Sequence, residues 1–112
     1  MQELPNKIKI NGIEFKIIFP YAFRERADIQ AQCDMSLYEI KINKYDASGL
    51  EKNPIAVLVS LLHEILHAID ISHGSCIFPS DRKEECIESM GYSLYQILVE
   101  NPKFLELFKT YE

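Results

Sequence analysis

The sequence predicts an α+β domain, because strand-type alternation fills the chain up to Asn43 and helical patterning fills it from Pro54 onward. A polar stretch, Lys44 to Lys52, separates the two halves. At 112 residues the chain is of single-domain size, so one domain, 1–112, is expected. With 47% apolar and 26% charged residues its composition is that of an ordinary globular protein able to build a core.

The strands come first. Lys7 to Ile10 and Ile13 to Phe19 flank Asn11-Gly12, a strong two-residue hairpin signal, and Ile8/Ile10 and Ile13/Phe15/Ile17 alternate with polar neighbours. Pro20 closes the hairpin. Tyr21 to Ala27 is compatible with a turn or a short helical stretch. Ile29 to Cys33 is a weaker strand, and Ser36 to Asn43 a stronger one, with Tyr38, Ile40 and Ile42 on one face. If that last strand lies at an edge, an extended peptide can add to it.

The helices follow. Asn53-Pro54 supplies a capping side chain and a residue suited to the first helical position, so a helix is expected from Pro54 to about Ser72. Its apolar residues, from Ile55 to Ile71, wrap nearly the whole circumference, which marks a central, mostly buried helix. Gly74 is a plausible terminator. Asp81 and Glu84 stand at capping-box spacing and open a second helix, Asp81 to Glu100, with an apolar stripe of Ile87, Met90, Leu94, Ile97 and Leu98. Asn101-Pro102 then starts a short third helix carrying Phe104, Leu105, Leu107 and Phe108.

Charge and composition exclude several classes. A formal net charge of −5 without a Lys/Arg stripe argues against nucleic acid as a partner. The N-terminal segment lacks the basic start and apolar core of a secretory signal, and no apolar run is expected to reach membrane-spanning length, so no membrane partner and a cytoplasmic location are expected. Cys33, Cys76 and Cys86 are odd in number and form no C-x-x-C pair; free thiols are the expectation.

The chemistry concentrates in the central helix. All three histidines fall between His63 and His73. His63 and His67 stand about 40° apart on the helical wheel, so their imidazoles can converge on one Zn²⁺ at roughly 2.0–2.1 Å. Glu64 lies on a different flank, from which its carboxylate can reach a metal-bound water as a general base. Ala56, Ser60 and Asp70 share the histidine stripe and leave room beside it. The competing reading is two hydrogen-bonded histidines and a solvated Glu64, with the His-Glu-x-x-His match a coincidence; its uncharged, helical surroundings favour the metal.

The stretch Leu62-His63-Glu64-Ile65-Leu66-His67-Ala68-Ile69-Asp70 resembles the zincin metallopeptidases. Together with Glu85 to Leu94 it is similar to small phage and prophage proteins of the ImmA/IrrE type, with a weaker similarity over most of the chain. The resemblance implies a zincin-like minimal gluzincin: a small sheet, an active-site helix, then a helix giving a glutamate as third zinc ligand. It implies a phage or prophage origin and a peptide or protein substrate. The family's usual Ala-Asn after that glutamate is Gly91-Tyr92 here.

A catalytic zinc takes three protein ligands and keeps one position open. Glu84 and Glu88 border the apolar face of the second helix, whereas Glu85 points away. Glu88, three residues before Gly91, is where the resemblance places the ligand, and it is the preferred choice. Glu84 is an alternative. His73 is another, at metzincin spacing from His67, although Asp70 stands where that pattern has glycine. Asp70 is a candidate acceptor orienting an imidazole. Tyr95, in line with Glu88, is a candidate donor to a developing oxyanion, as is Tyr92. The expected function is zinc-dependent peptide hydrolysis with Glu64 as base. The rivals are a catalytically silent zincin-fold module binding a regulatory protein, and a structural zinc domain closed by His73 or Cys76.

Overall fold

In a computed structural model, residues 3–24, 26 and 28–110 are described. The chain order is β1 (Lys7–Ile10), β2 (Ile13–Ile18), β3 (Ala31–Asp34), β4 (Glu39–Ile42), α1 (Pro54–Ser72), α2 (Lys83–Glu100) and α3 (Pro102–Thr110). This is the expected α+β arrangement, a sheet followed by helices.

The hairpin β1–β2 forms as the turn chemistry dictates. Asn11 and Gly12 adopt φ values of 51° and 82°, the left-handed pair that a two-residue turn requires between right-twisted strands. Ile10 meets Ile13 and Ile8 meets Phe15 across it. The later strands are shorter than their patterning suggested. Asp34 Oδ1 accepts from the N–H groups of Ser36 and Leu37, and Tyr38 takes a φ of 52°, so these residues form a turn before β4 begins. Within the Tyr21 to Ala27 segment the described residues form neither helix nor strand; Glu25 and Ala27 lie outside them.

The strand order is β1-β2-β4-β3, with β2 and β4 parallel and the other pairs antiparallel. The expectation of a free edge on the Leu37 to Ile42 strand is therefore corrected: β4 is hydrogen-bonded on both sides, and the sheet's edges are β1 and β3, with β3 the one more closely packed on α1. Phe15, Ile40 and Ile42 are fully buried on the inner face, where they meet Val57, Leu61 and Ala68 of α1. Removing a side chain of this kind from water is worth about 1.5–3 kcal/mol.

Helix α1 begins as its capping signal foretold, with Asn53 Oδ1 accepting the Ala56 N–H at 2.8 Å. By length and composition it is apolar enough to cross a membrane, at 19 residues and mean hydropathy 1.7. That apolarity serves the core instead: one side packs on the sheet and Leu66 packs against Phe78 and Ile87. Burial is not all round, as Ile55 and Ile71 are exposed and the side bearing Ala56, Ser60, His63 and His67 faces a cavity.

Helix α2 starts at Lys83, two residues later than expected, with Arg82 at the cap position making no side-chain cap bond. Its buried stripe is narrower than the sequence suggested: Ile87 and Gly91 are buried, Leu94 and Leu98 are part-buried, and Met90 and Ile97 are exposed. The reason is that, among the described helices and strands, α2 contacts α1 on one side and α3 near its end, with Phe78 of the preceding loop packed on Ile87. Gly91 sits where α2 approaches α1, and a Cβ there would stand 3.9 Å from the His63 backbone nitrogen. Alanine would fit at ordinary contact distance; larger side chains would push the helices apart.

Candidate metal centre

The capped start of α1 fixes the rotation of the helix, and with it the direction of its polar stripe. His63 and His67 lie one turn apart with ring centroids at 5.0 Å. They face a cavity of about 690 Å³ bounded by β3, α1 and the first turns of α2. Into the same cavity α2 sends Glu84 and Glu88.

Glu84 reaches both imidazoles. One of its carboxylate oxygens lies 3.1 Å from His63 Nε2 and the other 2.6 Å from His67 Nε2. Glu88 Oε2 lies 2.9 Å from the other ring nitrogen of His63, Nδ1. Glu84 is therefore drawn into the site and away from the capping box with Asp81. Ligand atoms of His63, His67 and Glu84 lie within 4.8 Å of one another, a spacing compatible with binding a single ion. Two imidazole nitrogens and one carboxylate are the donor set that suits zinc with an open position.

Glu64 turns inward beside these groups and is only 6% exposed. Burial pushes its pKa up to about 7, with the nearby Glu84 charge acting in the same direction. His63, the backbone N–H of Cys33 and Lys52 oppose that rise. A carboxyl group so placed exchanges a proton near neutral pH, as a general base must. Cys33, on the cavity wall, has its thiol pushed to about 11 by burial and by the Glu64 charge, so it stays protonated.

Other candidates are placed differently. Asp70 does not orient an imidazole: Oδ1 accepts from the Ile77 and Phe78 N–H groups, and Oδ2 pairs with Lys83 Nζ at 2.8 Å. The Lys83 ammonium beside it, ahead of the cost of burial, holds this carboxyl below the usual range. His73 ends α1 as an exposed cap residue, and Cys76 Sγ donates to its carbonyl at 2.9 Å, so neither joins the histidine–glutamate group. Glu85 points outward toward Arg82. Tyr95 is not on the cavity wall, since two turns beyond Glu88 carry it about 10 Å along the axis. Tyr92, one turn from Glu88, is on that wall. The three cysteines are free.

Lys52 also lines the cavity, and nothing in its sequence context distinguished it from the other lysines. Comparison with protein-family models, curated proteins and solved structures finds no match to this chain.

Proposed function

We propose that this chain is a zincin-like, zinc-dependent peptidase acting in the cytoplasm, of the phage or prophage type that its motifs resemble. The observation that carries the reading is the convergence of His63, His67 and Glu84 on one point beside buried Glu64. In this reading Glu84 is the third ligand. Glu88, the choice favoured by resemblance, instead holds His63 through Nδ1, as carboxylates commonly do behind a metal-bound imidazole.

A zinc ion held there supplies Lewis acidity toward a peptide carbonyl and a water molecule. Glu64 takes the proton from the attacking water on its carboxylate and passes it to the departing amine. The β3 edge, with Ala31, Gln32 and Cys33 on the cavity wall, aligns the substrate backbone by strand addition. Burial of Glu64 keeps bulk water from competing for its proton.

Metal analysis and titration test the arrangement. The purified chain should bind one zinc, Glu84→Gln should weaken zinc binding by more than 100-fold, and Glu88→Gln by roughly 10- to 100-fold. The reverse order of effects would return the ligand role to Glu88. A native chain that takes up no zinc would remove the basis of the proposal.

A further inference from the structure

Lys52 precedes the cap of α1 and folds its side chain into the cavity, where Nζ donates to the Gln30 carbonyl at 3.0 Å and to Ser60 Oγ at 3.3 Å. Its own backbone is tied down by the Lys52 N–H to Lys44 carbonyl bond. Among the described residues no carboxylate pairs with this ammonium. Asp46 and Glu64 act on it only through space, and Asp46 Oδ1 is already taken up by the N–H groups of Ser48 and Leu50. The other cation on the cavity wall, Arg26, is committed to Asp28 through bonds of 2.7 and 3.2 Å.

A half-buried ammonium with two neutral acceptors lacks the counter-charge that such groups normally recruit. Desolvation drives its pKa down, and an incoming anion would offset that effect. Its position is informative as well. Ser60 stands three residues before His63, about 4.5 Å along the helix axis, which is little more than the rise of one residue of extended chain.

Resting on the zinc-peptidase reading, we infer that Lys52 is a specificity-determining residue that receives a substrate carboxylate one or two residues from the bond to be cleaved. The carboxylate belongs either to an Asp or Glu side chain or to the C-terminus of the substrate. The ammonium supplies a charge-assisted hydrogen bond, and Gln30 and Ser60 hold it in place.

The test uses binding rather than turnover. Peptide hydroxamates, which attach to zinc directly, are prepared in two series. One carries an acidic side chain with a blocked C-terminus, the other an apolar side chain with a free C-terminal carboxylate; each has a carboxamide counterpart. In the zinc-loaded native chain, calorimetry should show one series binding about ten-fold more tightly as carboxylate than as carboxamide. The series that shows this preference identifies the source of the carboxylate. Lys52→Met should abolish the preference while leaving carboxamide affinity within two-fold, which a purely structural clamp would not do. Equal binding of carboxylate and carboxamide in the native chain, or a preference that survives Lys52→Met, overturns the inference alone. Failure of every hydroxamate to bind overturns the zinc reading and this inference with it.

Discussion

Glu64→Gln is expected to lower peptide hydrolysis by roughly 100- to 10,000-fold, the usual worth of a positioned proton acceptor, with zinc still bound at one per chain. Glutamine preserves the shape of the side chain and can still accept from the Cys33 N–H, but it cannot take a proton from water. The comparison therefore isolates proton transfer from folding and from metal binding. Zinc content measured beside the rate decides the meaning of a loss: inactive protein with full zinc supports the base role, whereas inactive protein without zinc would make Glu64 part of the ligand set. Undiminished hydrolysis would rule out Glu64 as the base.

The same substitution should stabilise the metal-free chain at alkaline pH. Burial pushes the Glu64 carboxyl up to about 7 in the folded chain, from an ordinary value of 4.5. Between those values the folded state binds the proton more tightly than the unfolded state, so its contribution is complete below about pH 4.5 and is lost as pH rises through about 7. The loss amounts to about 3 kcal/mol from one group. Denaturant midpoints of native and Glu64→Gln chains, both free of metal, should diverge across this window, with the variant the more stable above pH 7. Parallel curves would show that Glu64 is not held in a desolvated place.

Local chemistry made part of this molecule readable in advance. Asn11-Gly12 encodes its own turn, Asn53-Pro54 its own helix start, and the His63/Glu64/His67 spacing its own geometry, since each depends on neighbours in the chain. What stayed hidden depends on distant partners. The parallel pairing of β2 with β4 leaves β3, not β4, at the edge, and no alternation pattern reports which strand lies beside which. Asp81 and Glu84 have the spacing of a capping box, yet the imidazoles of α1 compete for Glu84. Asp70 shares a wheel position with the histidines, but the turn after α1 draws it into the backbone of Ile77 and Phe78. Lys52 is recognisable only once the cavity exists around it.

The contact between Asp70 and Lys83 governs more than its surroundings suggest. It joins the last turn of α1 to the first residue of α2, and so sets how far one helix can slide along the other. The histidines and the glutamates ride on opposite sides of that join, and a metal tolerates displacements of only about half an ångström in its donors. If an ion is held there, the pair outside the site contributes to the precision with which its donors are placed. Leu66 on Ile87 and the close approach at Gly91 hold the two helices side by side, and the Asp70–Lys83 ion pair adds a polar tie along their length, where apolar packing alone is least selective.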